Sequence, residues 1–252
     1  MRIISYNLRY TDDPDGHSIA ERAPRILDVI KDYDPDIMGF QEVVPKWMEV
    51  LKPLDENFDH ILMYRAPKSL EGTPVYWRKD RFDLVDHCHF WLSPTPAVSS
   101  KGWGDGMGLP RVCSYVALKC KKTGKVIHYF NTHMDGGEWC SREAAQVIIR
   151  RAHALGKDAI SFCTADFNFA PDSAGWHSMR SFFRDLRTDV APENHQATLN
   201  CYVPQGDKDC WIIDHCFYRG KVTPKNYEVI TRLYDGKFPS DHYGIVCDFE
   251  VE

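Results

Sequence analysis

Short apolar runs punctuate the chain at 3–6, 37–40, 61–64, 75–77, 82–92, 112–118, 126–130, 159–163, 211–218, 227–233 and 245–251. Their length and their β-branched and aromatic content predict buried strands. Between them the spacing changes to a 3.6-residue repeat. Ile26, Val29, Ile30 and Tyr33 share one helical face behind Pro24, which the pattern puts in the first turn, and Asp34-Pro35 stops the helix. A second helical stretch runs from Pro45 to about residue 54. In 141–155 the residues Ala144, Ile148, Ala152 and Leu155 form a stripe, with Arg142, Glu143, Arg150 and Arg151 largely off it. Another helix is expected near 174–186. The glycine-rich stretch 99–110 reads as a mobile surface loop, and 121–125 as a hairpin turn. Strands alternate with helices in both halves, and hairpins interrupt the alternation. The expected fold is therefore α/β, two packed mixed sheets with helices outside. No repeat, low-complexity tract or linker divides residues 1–252, so the chain is expected to be one domain.

Composition narrows the class without naming a function. With 252 residues, 43% hydrophobic and 27% charged, the chain can bury a sizeable core, and no apolar run reaches the length of a membrane span. It opens directly on a strand with no signal peptide, which leads us to expect a cytoplasmic protein, and a monomer. Nine cysteines without a Cys-x-x-Cys pair read as reduced core residues, neither a disulfide framework nor a zinc site. A net charge of −5 argues against a protein whose main task is gripping duplex DNA.

Chemistry concentrates where the apolar runs stop. Asn7 follows the first run, Gln41-Glu42 the second, Asn131-Thr132-His133-Met134-Asp135 the run at 126–130, and Asp166 and Asn168 the run at 159–163. Asp214 follows 211–213, and Ser240-Asp241-His242 precedes the last run. Glu42 and Asp241 suit the small carboxylate set that Mg²⁺ prefers. Asp166 is the candidate to orient and deprotonate a water. Asn168, His133 and His242 are candidate donors to phosphoryl oxygens, and Asp214 would keep His242 protonated. Asn7 could hold Glu42 or Asp166 in orientation. Each has a plainer reading. Glu42 could open the following helix, Asp166 and Asn168 could be turn residues, and His133 a structural histidine. The dipeptides Asp214-His215 and Asp241-His242 say little singly. The ordering of all six at strand ends favours a shared divalent-metal phosphate site, with His215 and the remaining histidines as packing or surface residues.

The motifs Ser5-Tyr6-Asn7-Leu8-Arg9, Gly39-Phe40-Gln41-Glu42-Val43, Asn131–Asp135, Ala165-Asp166-Phe167-Asn168, Ile212-Ile213-Asp214-His215 and Pro239-Ser240-Asp241-His242-Tyr243 together resemble the endonuclease/exonuclease/phosphatase superfamily across nearly the whole chain. That resemblance implies a four-layer, DNase I-like α/β sandwich and Mg²⁺- or Mn²⁺-dependent cleavage of phosphoester bonds. Residue by residue it makes Glu42 and Asp241 metal ligands supported by Asn7. Asp166 becomes the water activator, Asn168 and His133 phosphate contacts, and His242 with Asp214 the transition-state stabiliser. The stretch from Phe90 through Trp103 to Arg111 is most similar to a bacterial branch near deadenylase and sphingomyelinase-like members, and more distant from the abasic-site repair enzymes. Those enzymes carry an acid where this chain has Arg9, a cation that could hold substrate phosphate, as could Arg111; both could equally be surface salt-bridge arginines. Trp103, Trp139 and Trp176 adjoin the loops flanking the site and could stack on bases, or be packed indoles. The expected activity is hydrolysis of a phosphoester, on a small molecule or single-stranded nucleic acid. A nuclease is the alternative, and a non-catalytic binding scaffold the third reading.

Overall fold

The computed structural model describes residues 1–251 and has the expected two mixed sheets. One sheet contains β1 (Arg2–Asn7), β2 (Ile37–Gln41), β3 (Phe58–Ile61), β6 (Val75–Arg78), β13 (Val222–Val229) and β14 (Ile245–Val251), in the order β13-β14-β1-β2-β6-β3. The other contains β7 (Phe82–Trp91), β8 (Val112–Cys120), β9 (Val126–His133), β10 (Ile160–Asp166), β11 (Arg184–Asp185) and β12 (Asp214–Arg219), in the order β11-β12-β10-β9-β8-β7. A small hairpin, β4 (Tyr64–Ala66) and β5 (Ser69–Gly72), stands apart from both. Each large sheet has one parallel pair joined through a helix: β1 and β2 through α1 (Ile19–Tyr33), β9 and β10 through α3 (Glu138–Ala154). Parallel strands need such a crossover, and the helix covers the sheet's outer face.

Three buried clusters define four layers. Between the sheets lie Ile3, Ile37, Val116, Tyr129, Phe162, Ile245 and Phe249. On the outer face of the first sheet, Ile4, Tyr6 and Phe40 meet Ile26, Val29 and Ile30 of α1 and Trp47 of α2 (Pro45–Val50). On the second, Phe130, Cys163 and Phe167 meet Ala144, Ile148 and Ala152 of α3 and Met179 of α4 (Ala174–Arg180). The strands are buried on both faces, which is why they read as continuous apolar runs without alternation. Trp77, Tyr129 and Phe162, nearly free of solvent, each represent about 1.5–3 kcal/mol or more of transfer free energy.

Several boundaries differ from the sequence expectation. Helix α1 begins before Pro24, because Ser18 accepts from the Glu21 N–H while the Glu21 carboxylate accepts from Ser18, and this capping box outweighs the proline signal. Pro24 therefore sits inside the helix. The stretch after Pro45 breaks into α2 and a 3-10 turn, Lys52–Glu56. The helix expected near 174–186 ends at Arg180, and α5 (Leu186–Val190) follows the short strand β11. Residues 209–211 form a 3-10 turn, so Asp214 opens a strand instead of following one. Strand β13 lies earlier than the apolar run at 227–233 suggested. The glycine-rich loop is tied down: the Asp105 carboxylate accepts from the Trp139 and Cys140 N–H groups at 2.7 Å each, and Asp135 accepts from Gly108 N–H. All nine cysteines are free, but Cys201 and Cys210 are exposed, not core residues.

Candidate active site

Sheet register assembles the cleft. Asn7 pairs with Gln41 at the ends of β1 and β2, and Asp166 pairs with His133 at the ends of β9 and β10. Asp214, first residue of antiparallel β12, stands opposite Asp166. Asn131 then locks the two sheets together: its amide donates to Phe40 O and Pro74 O at 2.8 Å each, and its oxygen accepts from Gln41 Nε2 at 2.7 Å. Gly39 permits this approach, since a Cβ there would lie 2.7 Å from Asn131 Oδ1.

Asn7, fully buried, donates to Glu42 Oε1 at 3.2 Å and to Asp166 Oδ2 at 2.9 Å. One neutral amide thus separates two carboxylates. Tyr10 N–H donates to Glu42 Oε2 at 2.9 Å. Two triads of possible metal ligands result: Glu42 with His133 and Asp166, and Asp166 with Asp214 and His242. Asp241 belongs to neither triad among the described residues; its carboxylate lies 3.6 Å from Arg9 Nε. The oxygen donors of Glu42 and Asp166 fit a hard divalent cation. Asp214 Oδ1, buried with no partner, adds unsatisfied negative charge to the same cleft.

Two histidines face the Asp166 carboxylate from Nε2, His133 at 3.4 Å and His242 at 3.6 Å, and their environments differ. Burial pulls the His133 imidazole down to about 4, and Arg111 adds to that against the opposing pull of Asp166 and Glu42. Its Nε2 accepts from Asn168 Nδ2 at 2.9 Å, which leaves the ring proton on Nδ1, 3.3 Å from Glu71 Oε1. Burial also pulls on His242, but Asp214, at 2.9 Å from Nδ1, together with Asp166 holds it well above the ordinary histidine value. Thr198 Oγ1 accepts from the N–H groups of Ile213 and Asp214 at 3.0 Å each and so fixes that acid. Asn168 spends both amide N–H groups, on His133 and on Met134 O. Of the three donors expected for phosphoryl oxygens, His133 and Asn168 are engaged with protein, and His242 Nε2–H makes no hydrogen bond, the Asp166 carboxylate lying 3.6 Å away.

Arg9 has φ 61°, with its N–H on Asn7 Oδ1 and its carbonyl accepting from Trp47 Nε1. Its guanidinium lies between Asp13 and Asp241 at the cleft rim. Arg111 is not a surface arginine: it is 3% exposed, 3.6 Å from Glu71 and 3.7 Å from Asp135. Trp139 is 48% exposed at the start of α3. Trp176 is 6% exposed, donates to Asp185 Oδ2 at 2.8 Å, and is closed off from any stacking ligand. His215 is buried beside Phe169, whose carbonyl lies 3.0 Å from its Nε2, as a packing residue. Sequence reasoning missed Glu71 and Arg65, carried on the β4–β5 hairpin, because a short hairpin shows no long apolar run to mark its ends. A cavity of about 680 Å³ lies at the opposite end of the sheets, near Asp36, Arg81, Cys120 and Phe249, and none of these candidates borders it.

The chain matches the endonuclease/exonuclease/phosphatase family over residues 4–242, and it belongs to that family. Members of this family are phosphatases, phosphodiesterases and nucleases. It is similar to a mannosyl-6-phosphatase from Bacteroides thetaiotaomicron, at 30% identity, with 99% of each chain covered and a TM-score of 0.88. Tyrosyl-DNA phosphodiesterase 2 of Danio rerio is 21% identical over 269 residues, which cover all of this chain and 67% of that protein. The human nocturnin catalytic domain shares the fold, at 18% identity and a TM-score of 0.75, with 100% of this chain and 93% of that one covered. No helix among the described residues is long and apolar enough to cross a membrane.

Proposed function

We propose that this chain is a divalent-metal-dependent phosphoester hydrolase acting on a small phosphorylated molecule, with a sugar phosphate as the leading substrate class. The observation that carries the reading is the convergence of Glu42, His133, Asp166, Asp214 and His242 in one buried cleft around Asn7. Similarity to a mannosyl-6-phosphatase at 30% identity supports the substrate class. Glu42 and Asp166, with Asp241 after rotation away from Arg9, would hold Mg²⁺ or Mn²⁺. Such an ion supplies charge neutralisation at phosphoryl oxygens.

The chain's own residues do the rest. Asp166 orients a water and takes its proton, with Asn7 N–H and Asn168 backbone N–H fixing the carboxylate at 2.9 and 3.0 Å. His242, kept charged by Asp214, offers Nε2–H to the developing negative charge. Neutral His133 accepts from Asn168 and so positions the loop that carries it. The test is hydrolysis of hexose 6-phosphate, inositol phosphates, oligoribonucleotides and abasic duplex with Mg²⁺ or Mn²⁺, by the unmutated protein and by Asp166→Asn. The proposal stands if the sugar phosphate is the best substrate and the variant is inactive, and it falls if no ester is cleaved. A nuclease reading draws support from exposed Trp139 and Tyr10 near the cleft. It predicts oligonucleotide affinity that drops steeply with salt.

A further inference from the structure

With Asn168 and His133 turned inward, His242 Nε2–H is the one donor left of the three expected for a phosphoryl group that has three non-bridging oxygens. The β4–β5 hairpin holds the missing cation. It is bolted beside Glu42 by paired backbone bonds, Val43 N–H to Gly72 O at 3.1 Å and Gly72 N–H to Val43 O at 2.9 Å. Arg65 O accepts from Trp91 Nε1 and Ser99 Oγ at 2.7 Å each, which pins the backbone under the side chain. The guanidinium is aimed by two further contacts, Nε to Ser69 Oγ at 2.8 Å and Nη1 to Glu71 Oε1 at 2.9 Å. Its Nη2 has no acceptor, and Glu42 and Tyr10 lie within its electrostatic reach. Alongside, Arg111 is almost fully buried with Nε and Nη1 lacking hydrogen bonds. A cavity of about 10 Å³ is lined by Arg111 together with Arg65, Glu71 and His133. The Arg111 charge is matched by two buried acids, Glu71 at 3.6 Å and Asp135 at 3.7 Å, but neither reaches hydrogen-bonding distance of Nε or Nη1, so those N–H groups are open to a nearer acceptor.

We propose that Arg65 is a substrate-contacting residue whose free Nη2 takes a non-bridging phosphoryl oxygen, with Arg111 behind it, so that the cleft favours a phosphomonoester dianion over a diester. A diester has two such oxygens and one charge; a monoester has three and two. The third oxygen is what a cation on this hairpin would recognise, and the Ser69 and Glu71 contacts preset its fork. The inference rests on the reading of the cleft as a phosphoesterase.

The experiment compares the unmutated protein, Arg65→Gln, Arg65→Lys and the exposed hairpin control Lys68→Gln. Each is assayed with Mg²⁺ on p-nitrophenyl phosphate and bis(p-nitrophenyl) phosphate, and titrated calorimetrically with inorganic phosphate. For Arg65→Gln we expect monoester kcat/KM to fall roughly 30-fold or more, diester kcat/KM to change less than about 3-fold, and phosphate affinity to drop roughly 10-fold. Arg65→Lys, which keeps the charge and the Glu71 pair, should fall between, and Lys68→Gln should match the unmutated protein. Parallel losses on both esters, unchanged phosphate affinity, or no phosphate binding by the unmutated protein would each overturn the assignment. If the unmutated protein binds phosphate but cleaves neither ester, the hydrolase reading fails and Arg65 is judged on the titration alone.

Discussion

The two ends of the sheets are built from the same strands and solve charge in opposite ways. At the base, acids meet arginines directly: Asp248 accepts from Arg2 through both oxygens at 2.8 and 2.9 Å, Asp36 pairs with Arg81, and Asp34 with Arg78 and, at 3.5 Å, with Arg81. At the cleft, Glu42, Asp166 and Asp214 converge with a single amide between the first two and one cation, His242, shared by the last two, and Asp214 Oδ1 makes no hydrogen bond. Around the cleft Arg9, Glu42, Asn168, Cys201 and Tyr202 adopt positive φ, a conformation shared at the base by Asp34. For Glu42 that conformation costs on the order of 1 kcal/mol, because its side chain gains nothing locally from the left-handed region. Strain and repulsion sit where chemistry is expected, and the interior between the sheets compensates for them.

The sharpest way to break this contrast is Asp166→Asn. If the cleft is organised for turnover at the expense of stability, activity should fall by about 10³-fold or more, while the melting temperature stays level or rises. Steady-state kinetics and a thermal melt on one preparation decide it, and a variant that loses stability along with activity would place Asp166 with the structural residues.

The mirror experiment is Phe162→Ala. Phe162 is fully buried between the sheets, its ring 4.6 Å from Phe249, and truncation should cost about 3–5 kcal/mol in urea unfolding. KM should hold at temperatures where the variant remains folded. A raised KM would mean that the interior and the cleft are coupled more tightly than the separation of roles allows.

Metal loading probes the repulsion directly. An ion that binds only the folded state at a hundred times its Kd stabilises by about 2.7 kcal/mol, so Mg²⁺ should raise the melting temperature of the unmutated protein. Glu42→Gln should largely abolish that rise. An equal rise in both would move the ion elsewhere. Smaller again is the effect of Trp176→Phe, which removes the indole bond to Asp185 and should cost about 1–2 kcal/mol without changing salt-dependent oligonucleotide binding. Trp139→Ala, at an exposed position, should leave stability nearly unchanged.

The layer order and the strand-end placement of Asn7, Glu42, His133 and Asp166 were legible because strands buried on both faces leave unbroken apolar runs, and the runs stop where polar groups must face the cleft; Asp214 instead opens its strand, because the apolar residues before it include a 3-10 turn. Side-chain direction was not legible. The Asp-His-Tyr run at 241–243 looks like a ligand next to a donor, yet Asp241 turns to Arg9 while His242 turns to Asp214. Trp176 and Trp139 both lie near the start of a helix, and only tertiary packing decides which indole Phe167 and Phe169 enclose. Arg65 and Glu71 could not be found from spacing, because their importance comes from the backbone bonds between Gly72 and Val43, a contact across the chain with no local signature.

A further effect concerns pH, and it tests the contrast away from the cleft altogether. His89 on β7 contacts Ser114 Oγ at 3.2 Å, and burial, with His87 adding to it, lowers its imidazole to about 4. A histidine held neutral in the folded state and free to charge when unfolded stabilises the protein above its unfolded value near 6.5. That contribution is lost as pH falls from about 6.5 toward 4. His89 is only partly buried, so solvent screening reduces the effect to about 1 kcal/mol. His89→Gln should therefore flatten the loss of stability over that window and leave the cleft's dependence on Mg²⁺ unchanged. Urea unfolding at pH 7 and pH 5 measures the difference, and a variant whose stability falls with acid as steeply as the unmutated protein would remove His89 from the explanation.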